Sequence, residues 1–177
     1  MITIITVHLN KIDDLLATAR SIQNQTYQSF NWFLIDGGSD SGVRKKFSKI
    51  TRLDRIISEK DDGIYDAMNK GLTLINPNEY VMFLNSGDKL YEETTLEKTV
   101  ETGLLGKVDV LYGNAEINNK IKISRNPIHN FFAKGMPFCH QSCLVRGSMF
   151  LYEKFNTKYR YAADLDFFVR PKKRSGP

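Results

Sequence analysis

Residues 2–7 read Ile-Thr-Ile-Ile-Thr-Val, an almost unbroken β-branched run, and a strand with no polar face has to be covered on both sides. That excludes a solvent-faced sheet here and predicts a central parallel strand between helices. Ile12, Leu15, Leu16, Ala19 and Ile22 then recur at helical spacing, so residues 12–25 read as an amphipathic helix with Asn10 or Asp13 as its candidate cap. Residues 32–35 are a second strand, which ends at Asp36-Gly37-Gly38-Ser39-Asp40, a turn able to open a helix over 43–50. With a third strand at 55–58 this makes a βαβ unit.

Beyond Gly63, the positions Ile64, Ala67, Met68 and Leu72 again have helical spacing, and residues 80–84 return to strand. A helix over 92–105 and a strand over 108–112 follow. Asn118-Asn119 marks the turn of an antiparallel hairpin, expected to be attached to the parallel sheet. Residues 125–141 have no clear period and contain Pro127, Gly135 and Pro137, so they read as a loop lining the site, and 162–170 as a short final helix. The fold class is therefore α/β: a Rossmann-like, mostly parallel sheet with helices on both faces and a small antiparallel addition. Residues 1–170 read as one domain, with a change of role between 1–88 and 89–170.

The net charge of +5, from 25 Lys and Arg against 20 Asp and Glu, favours anionic ligands but is too small to point to nucleic acid. Lys172, Lys173 and Arg174 lie in a basic tail, 171–177, expected to be disordered and at most a weak contact for anionic lipid. Cys139 and Cys143 flank His140, but structural zinc normally takes four ligands, and reduced thiols are the expectation. The chain shows no secretory signal, and no apolar stretch reaches the roughly 18 residues a membrane span needs. A cytoplasmic protein, peripheral at most to the inner face of a membrane, is expected.

The chemistry concentrates at strand ends. Asp88 closes the run from Tyr80 to Asn85-Ser86-Gly87-Asp88, and a carboxylate held there can ligate a hard divalent cation, although all four residue types also favour turns. Upstream, Asp61-Asp62-Gly63-Ile64-Tyr65-Asp66-Ala67-Met68-Asn69-Lys70-Gly71 supplies a second polar cluster after a strand. Together the two suggest a phosphate and sugar site.

In order, 4–10, 21–27, 35–40, 58–71, 83–88, 135–141 and Ala162-Ala163-Asp164-Leu165-Asp166 resemble family 2 glycosyltransferases of the GT-A fold, over residues 2–170. The resemblance implies transfer of a sugar from a nucleotide-sugar donor, a UDP-sugar by expectation, to a hydroxyl of a glycan or lipid-linked acceptor, by inversion, in bacterial surface polysaccharide assembly. It implies that Thr6, His8 and Asp36 hold the nucleotide, that Asp61 and Gly63 sit beside the ribose and diphosphate, and that Asn69 and Asn85 belong to the same donor site. Asp36 would equally serve as a helix cap.

By the same resemblance Asn85-Ser86-Gly87-Asp88 occupies the place of an Asp-X-Asp motif of which only the last acid remains, leaving Asp88 to ligate Mn²⁺ or Mg²⁺ with diphosphate and water. His140 would add a ligand, touch the phosphates, or simply bond within its loop. Asp164 is implied as general base, with Asp166 supporting the site, whereas either acid also suits a helix N-terminus. Two apart on a helix, they do not share a face. A non-catalytic nucleotide-sugar-binding scaffold is the competing reading. A nucleotidyltransferase fits less well, because no Gly-rich, basic triphosphate loop follows the first strand.

Overall fold

The computed structural model describes residues 1–124 and 135–170. The β-branched run forms β1 (Ile2–His8), buried along its whole length. Its side chains alternate: Ile2 and Ile4 pack with Leu15, Ala19 and Ile22 of α1 (Ile12–Gln23), while Ile5 and Val7 pack on the other face with Ala67 and Met68 of α3 (Ile64–Gly71). Two apolar cores back to back explain why this strand needs no polar side.

Around it lie β2 (Phe30–Asp36), β3 (Arg55–Ser58) and β4 (Tyr80–Phe83), all parallel. The order in the six-stranded sheet is β3-β2-β1-β4, continued by β8 (Cys143–Arg146) and β5 (Val110–Tyr112). From β1 the chain first winds outward to β2 and β3, then returns to lay β4 on the opposite side. The reversal opens a crevice beyond the carboxyl ends of β1 and β4.

Several expected elements are shorter. The helix expected over 43–50 is one α turn, α2 (Ser41–Arg44), continuing as a 3₁₀ segment (Lys45–Lys49), and α4 spans Thr95–Glu101 rather than 92–105. The hairpin forms with Asn118 and Asn119 at φ 51° and 59°, the left-handed pair a two-residue turn requires. It is not attached to the main sheet, however: β6 (Ala115–Ile117) and β7 (Lys120–Lys122) make a separate two-stranded sheet.

The antiparallel addition comes instead from β8 (Cys143–Arg146), which pairs with β4 on one side and β5 (Val110–Tyr112) on the other. Past α5 (Met149–Tyr152), α6 (Ala163–Val169) buries Phe167 against Phe150 and Phe155 in the second core. The expected basic tail and much of the expected site loop lie outside the described residues.

Candidate active site

A cleft of about 280 Å³ opens at the sheet reversal, lined by His8, Asp61, Gly63, Ile64, Asn85 and Ser86 among others. It brings together four residues that the sequence singled out, from β1, the β3–α3 turn and the β4 end. Ile64 and Leu9 leave their side chains 44% and 53% exposed at this cleft, an apolar rim on a polar floor.

Beside it, the Asp36 turn is tightly organised. Asp36 is fully buried; its carboxylate accepts from Ser58 Oγ at 2.6 Å and from the Ser39 backbone N–H and hydroxyl. Serine hydroxyls thus satisfy a buried charge that would otherwise be costly. A Cβ at Gly37 would stand 2.2 Å from Asp61 Oδ2, so a side chain there displaces the Asp61 carboxylate. Asp61 in turn accepts the Gly63 N–H at 3.0 Å, and Gly63 holds φ 124°, a conformation natural to glycine.

His8 donates to or accepts from Ser86 Oγ through Nδ1 at 3.1 Å, while its Nε2 is buried with no partner among the described residues. Burial lowers the His8 pKa from its ordinary value, against the opposing pull of Asp36 and Asp14.

The Asn85–Asp88 turn is pinned from α1. Ser86 N–H bonds Val7 O at 3.1 Å, Asp88 N–H bonds Asn85 O at 2.9 Å, and Gly87 N–H bonds Thr18 Oγ1 at 2.9 Å. Burial pushes the Asp88 carboxyl above its ordinary range, offset in part by the charge of His140, the Asn85 backbone and a hydrogen bond from Gln141. A carboxylate in that condition gains from a nearby cation.

Asp164 meets the same histidine from the far end of the chain. His140 Nδ1 lies 2.9 Å from Asp164 Oδ2, and Tyr65 Oη donates to Oδ1 at 3.1 Å. A carboxylate only accepts, so Nδ1 donates in this pair, while Nε2 is buried and unpartnered among the described residues. Burial pushes the Asp164 pKa up, but the His140 hydrogen bond and charge, the Leu165 backbone and Tyr65 outweigh it, and the carboxyl sits below its ordinary range. Ala162, just before the helix, is held at φ 61°, a left-handed conformation costing a side-chain-bearing residue about 1–2 kcal/mol.

Three expected site residues have other occupations. Thr6 is inside the core, where its hydroxyl accepts the Trp32 indole N–H at 3.0 Å. Asn69 spends both ends of its amide on the Phe155 backbone, at 2.9 and 3.0 Å. Asp166 pairs with Arg170 Nε at 2.8 Å, one turn along α6 and away from Asp164. Conversely, Tyr65, Thr18 and Gln141 were not singled out; nothing in their spacing marks them, since each acts on a partner at least 50 positions away.

Among the described residues no three His, Cys, Asp or Glu side chains gather into a metal cage. Asp88 and the unpartnered Nε2 of His140 are the side-chain groups that could hold a cation here. Cys139 and Cys143 are free thiols, Cys143 buried with its pKa pushed far up by that burial, which makes it a poor metal ligand.

The profile of Glycosyl transferase family 2 matches residues 3–165. A PGL/p-HBAD biosynthesis glycosyltransferase of Mycobacterium tuberculosis is 30% identical, covering 96% of this chain and 69% of that protein. In structure the chain is similar to S. aureus TarS in complex with UDP, with TM-score 0.72 and 15% identity over 94% of this chain and 54% of TarS. It is also similar to the mannosyltransferase PcManGT of Pyrobaculum calidifontis in complex with GDP-Man and Mn²⁺, with TM-score 0.69 and 15% identity over 94% of this chain and 50% of that one. The chain spans about half the length of these two solved chains, and the likeness establishes the GT-A fold.

Proposed function

The chain belongs to glycosyl transferase family 2, and from that premise we propose that it transfers a sugar from a UDP-sugar to a hydroxyl of a glycan or lipid-linked acceptor, with inversion. The observation that carries this reading is the pairing of Asp164 with His140, whose charge also acts on Asp88, two positions past the cleft-lining Ser86.

The reaction asks for a base on the acceptor side and charge neutralisation on the leaving side. Asp164, held below the ordinary carboxyl range, is ionised at neutral pH and takes the acceptor hydroxyl proton as that oxygen bonds to the anomeric carbon. The bond from that carbon to the diphosphate oxygen breaks in the same step, so no covalent enzyme intermediate is needed. Asp61, the Gly63 turn and Asn85 line the donor's place, with the Asp36 turn packed behind Asp61. Asp88, with His140 Nε2, would hold Mn²⁺ or Mg²⁺, which when bound supplies positive charge beside the departing diphosphate. The place of action in this reading is the cytoplasmic side, peripheral at most to a membrane; no helix among the described residues is long and apolar enough to cross one.

A second reading, a nucleotide-sugar-binding homologue without turnover, is favoured by the single acid left in the cation turn and by the partial donor set. Thermal unfolding with UDP and GDP, with and without MnCl₂, followed by turnover of UDP-sugars, separates the two. Manganese-dependent stabilisation with turnover that Asp88→Ala and Asp164→Asn abolish supports the transferase; binding with no turnover supports the scaffold.

A further inference from the structure

We propose that Tyr65 is a positioning residue for Asp164, which ties the orientation of the base to the turn on which the donor sits; this rests on the reading of Asp164 as base. Tyr65 is the second residue of α3, directly after Ile64 and two after Gly63, both of which line the cleft. Its hydroxyl crosses 99 positions of sequence to reach Asp164 Oδ1 at 3.1 Å. One donor leaves a carboxylate free to swing about its terminal torsion, which is a broad, soft rotation. A second donor on the other oxygen, His140 Nδ1 at 2.9 Å from Oδ2, fixes the plane.

The phenol is itself held in place. Its ring packs on Phe155 with centroids 5.5 Å apart, and Asn69, one turn along the same helix, clamps the Phe155 backbone with two hydrogen bonds of 2.9 and 3.0 Å. Phe155 also packs on Phe167 of α6, the helix that carries Asp164. The start of α3 is set by Gly63 at φ 124° and by the Asp61 carboxylate on its N–H. A donor seated against that turn therefore bears on the one hydroxyl that, with His140, orients the base.

Tyr65→Phe keeps the ring contacts and removes only the hydroxyl. Hydrolysis of UDP-glucose, UDP-N-acetylglucosamine and GDP-mannose in MnCl₂ by the full chain measures it, with water as acceptor. The variant is expected to lose about 10- to 100-fold in kcat, the scale of one hydrogen bond to a charged group. Donor KM stays within about twofold, because the interaction acts on the base and not on donor binding. In an Asp164→Asn background, Tyr65→Phe changes nothing further. Wild-type kcat in Tyr65→Phe, or a loss that adds to that of Asp164→Asn, overturns this inference while leaving the base assignment standing. Wild-type turnover in Asp164→Asn, or no turnover of any of the three donors by the wild type, overturns the base assignment and this inference with it.

Discussion

Thr18 Oγ1 lies 2.7 Å from the backbone oxygen of Asp88 and receives the Gly87 N–H at 2.9 Å, so a hydroxyl in the middle of α1 fastens the turn that carries the candidate cation ligand. Its single proton has three carbonyls in range, and the shortest contact, to Asp88, takes it over Asp14 and Asn85 at 3.2 and 3.3 Å. Helix α1 thereby serves both the first core and the chemistry of the site.

Thr18→Val is nearly the same shape and leaves the Gly87 N–H and the Asp88 carbonyl without their partner. The expected cost is about 1–3 kcal/mol of folding stability, measured as a lower urea midpoint with unchanged slope. Manganese-dependent stabilisation by UDP should weaken in the same variant.

Asp164 and Asp166 should separate cleanly on substitution. Asp164→Asn removes the proposed base, reduces sugar transfer to near zero and lowers the melting temperature, because an amide cannot accept from both His140 and Tyr65. Asp166→Asn loses only the pair with Arg170, worth under about 1 kcal/mol on a partly exposed helix, and retains turnover. Equal activity losses in both variants would contradict the two-faced arrangement of α6.

Stability should depend on pH through His8. Its folded pKa is lowered from the ordinary 6.5, chiefly by burial, so between the two values the unfolded chain binds more protons than the folded one. The contribution is complete above about pH 6.5 and declines as the pH falls through that window. The melting temperature of the wild type minus that of His8→Gln is therefore expected to shrink from about pH 7.5 to about pH 5.5; a constant difference would contradict a neutral, buried imidazole.

Gly71→Ala pits helix propensity against packing. Alanine is the better helix former by up to about 1 kcal/mol, yet its Cβ would stand 2.7 Å from Ile5 Cγ2 and 3.3 Å from Ile35 Cγ1. Because Ile5 is a fully buried residue of the central strand, the clash wins, and a net loss of about 1–3 kcal/mol is expected in chemical denaturation.

Much of the parallel half of the sheet was readable from periodicity. The strand expected at 55–58 has those bounds, and the Asn118-Asn119 turn folds as its residue types require. The strand Cys143–Arg146 is not legible in the sequence: it forms between β4 and β5, with partners such as Val81, 64 positions away. The site was readable as a set of strand-end residues and not as a set of contacts. Thr6 and Asn69 sit in the right motifs, but their polar atoms are satisfied by Trp32 and Phe155.

What the sequence determined alone is local: which runs are apolar on both faces, where glycine and asparagine turn the chain, and which acids stand at strand ends. Those properties follow from spacing and residue type, which act within a few positions. The meeting of His140 and Tyr65 on Asp164 was decided by tertiary structure only. Hydrogen bonds act over a few ångströms, and only the packing of α6 and the β8 segment onto the sheet reduces separations of 24 and 99 positions in the chain to that distance.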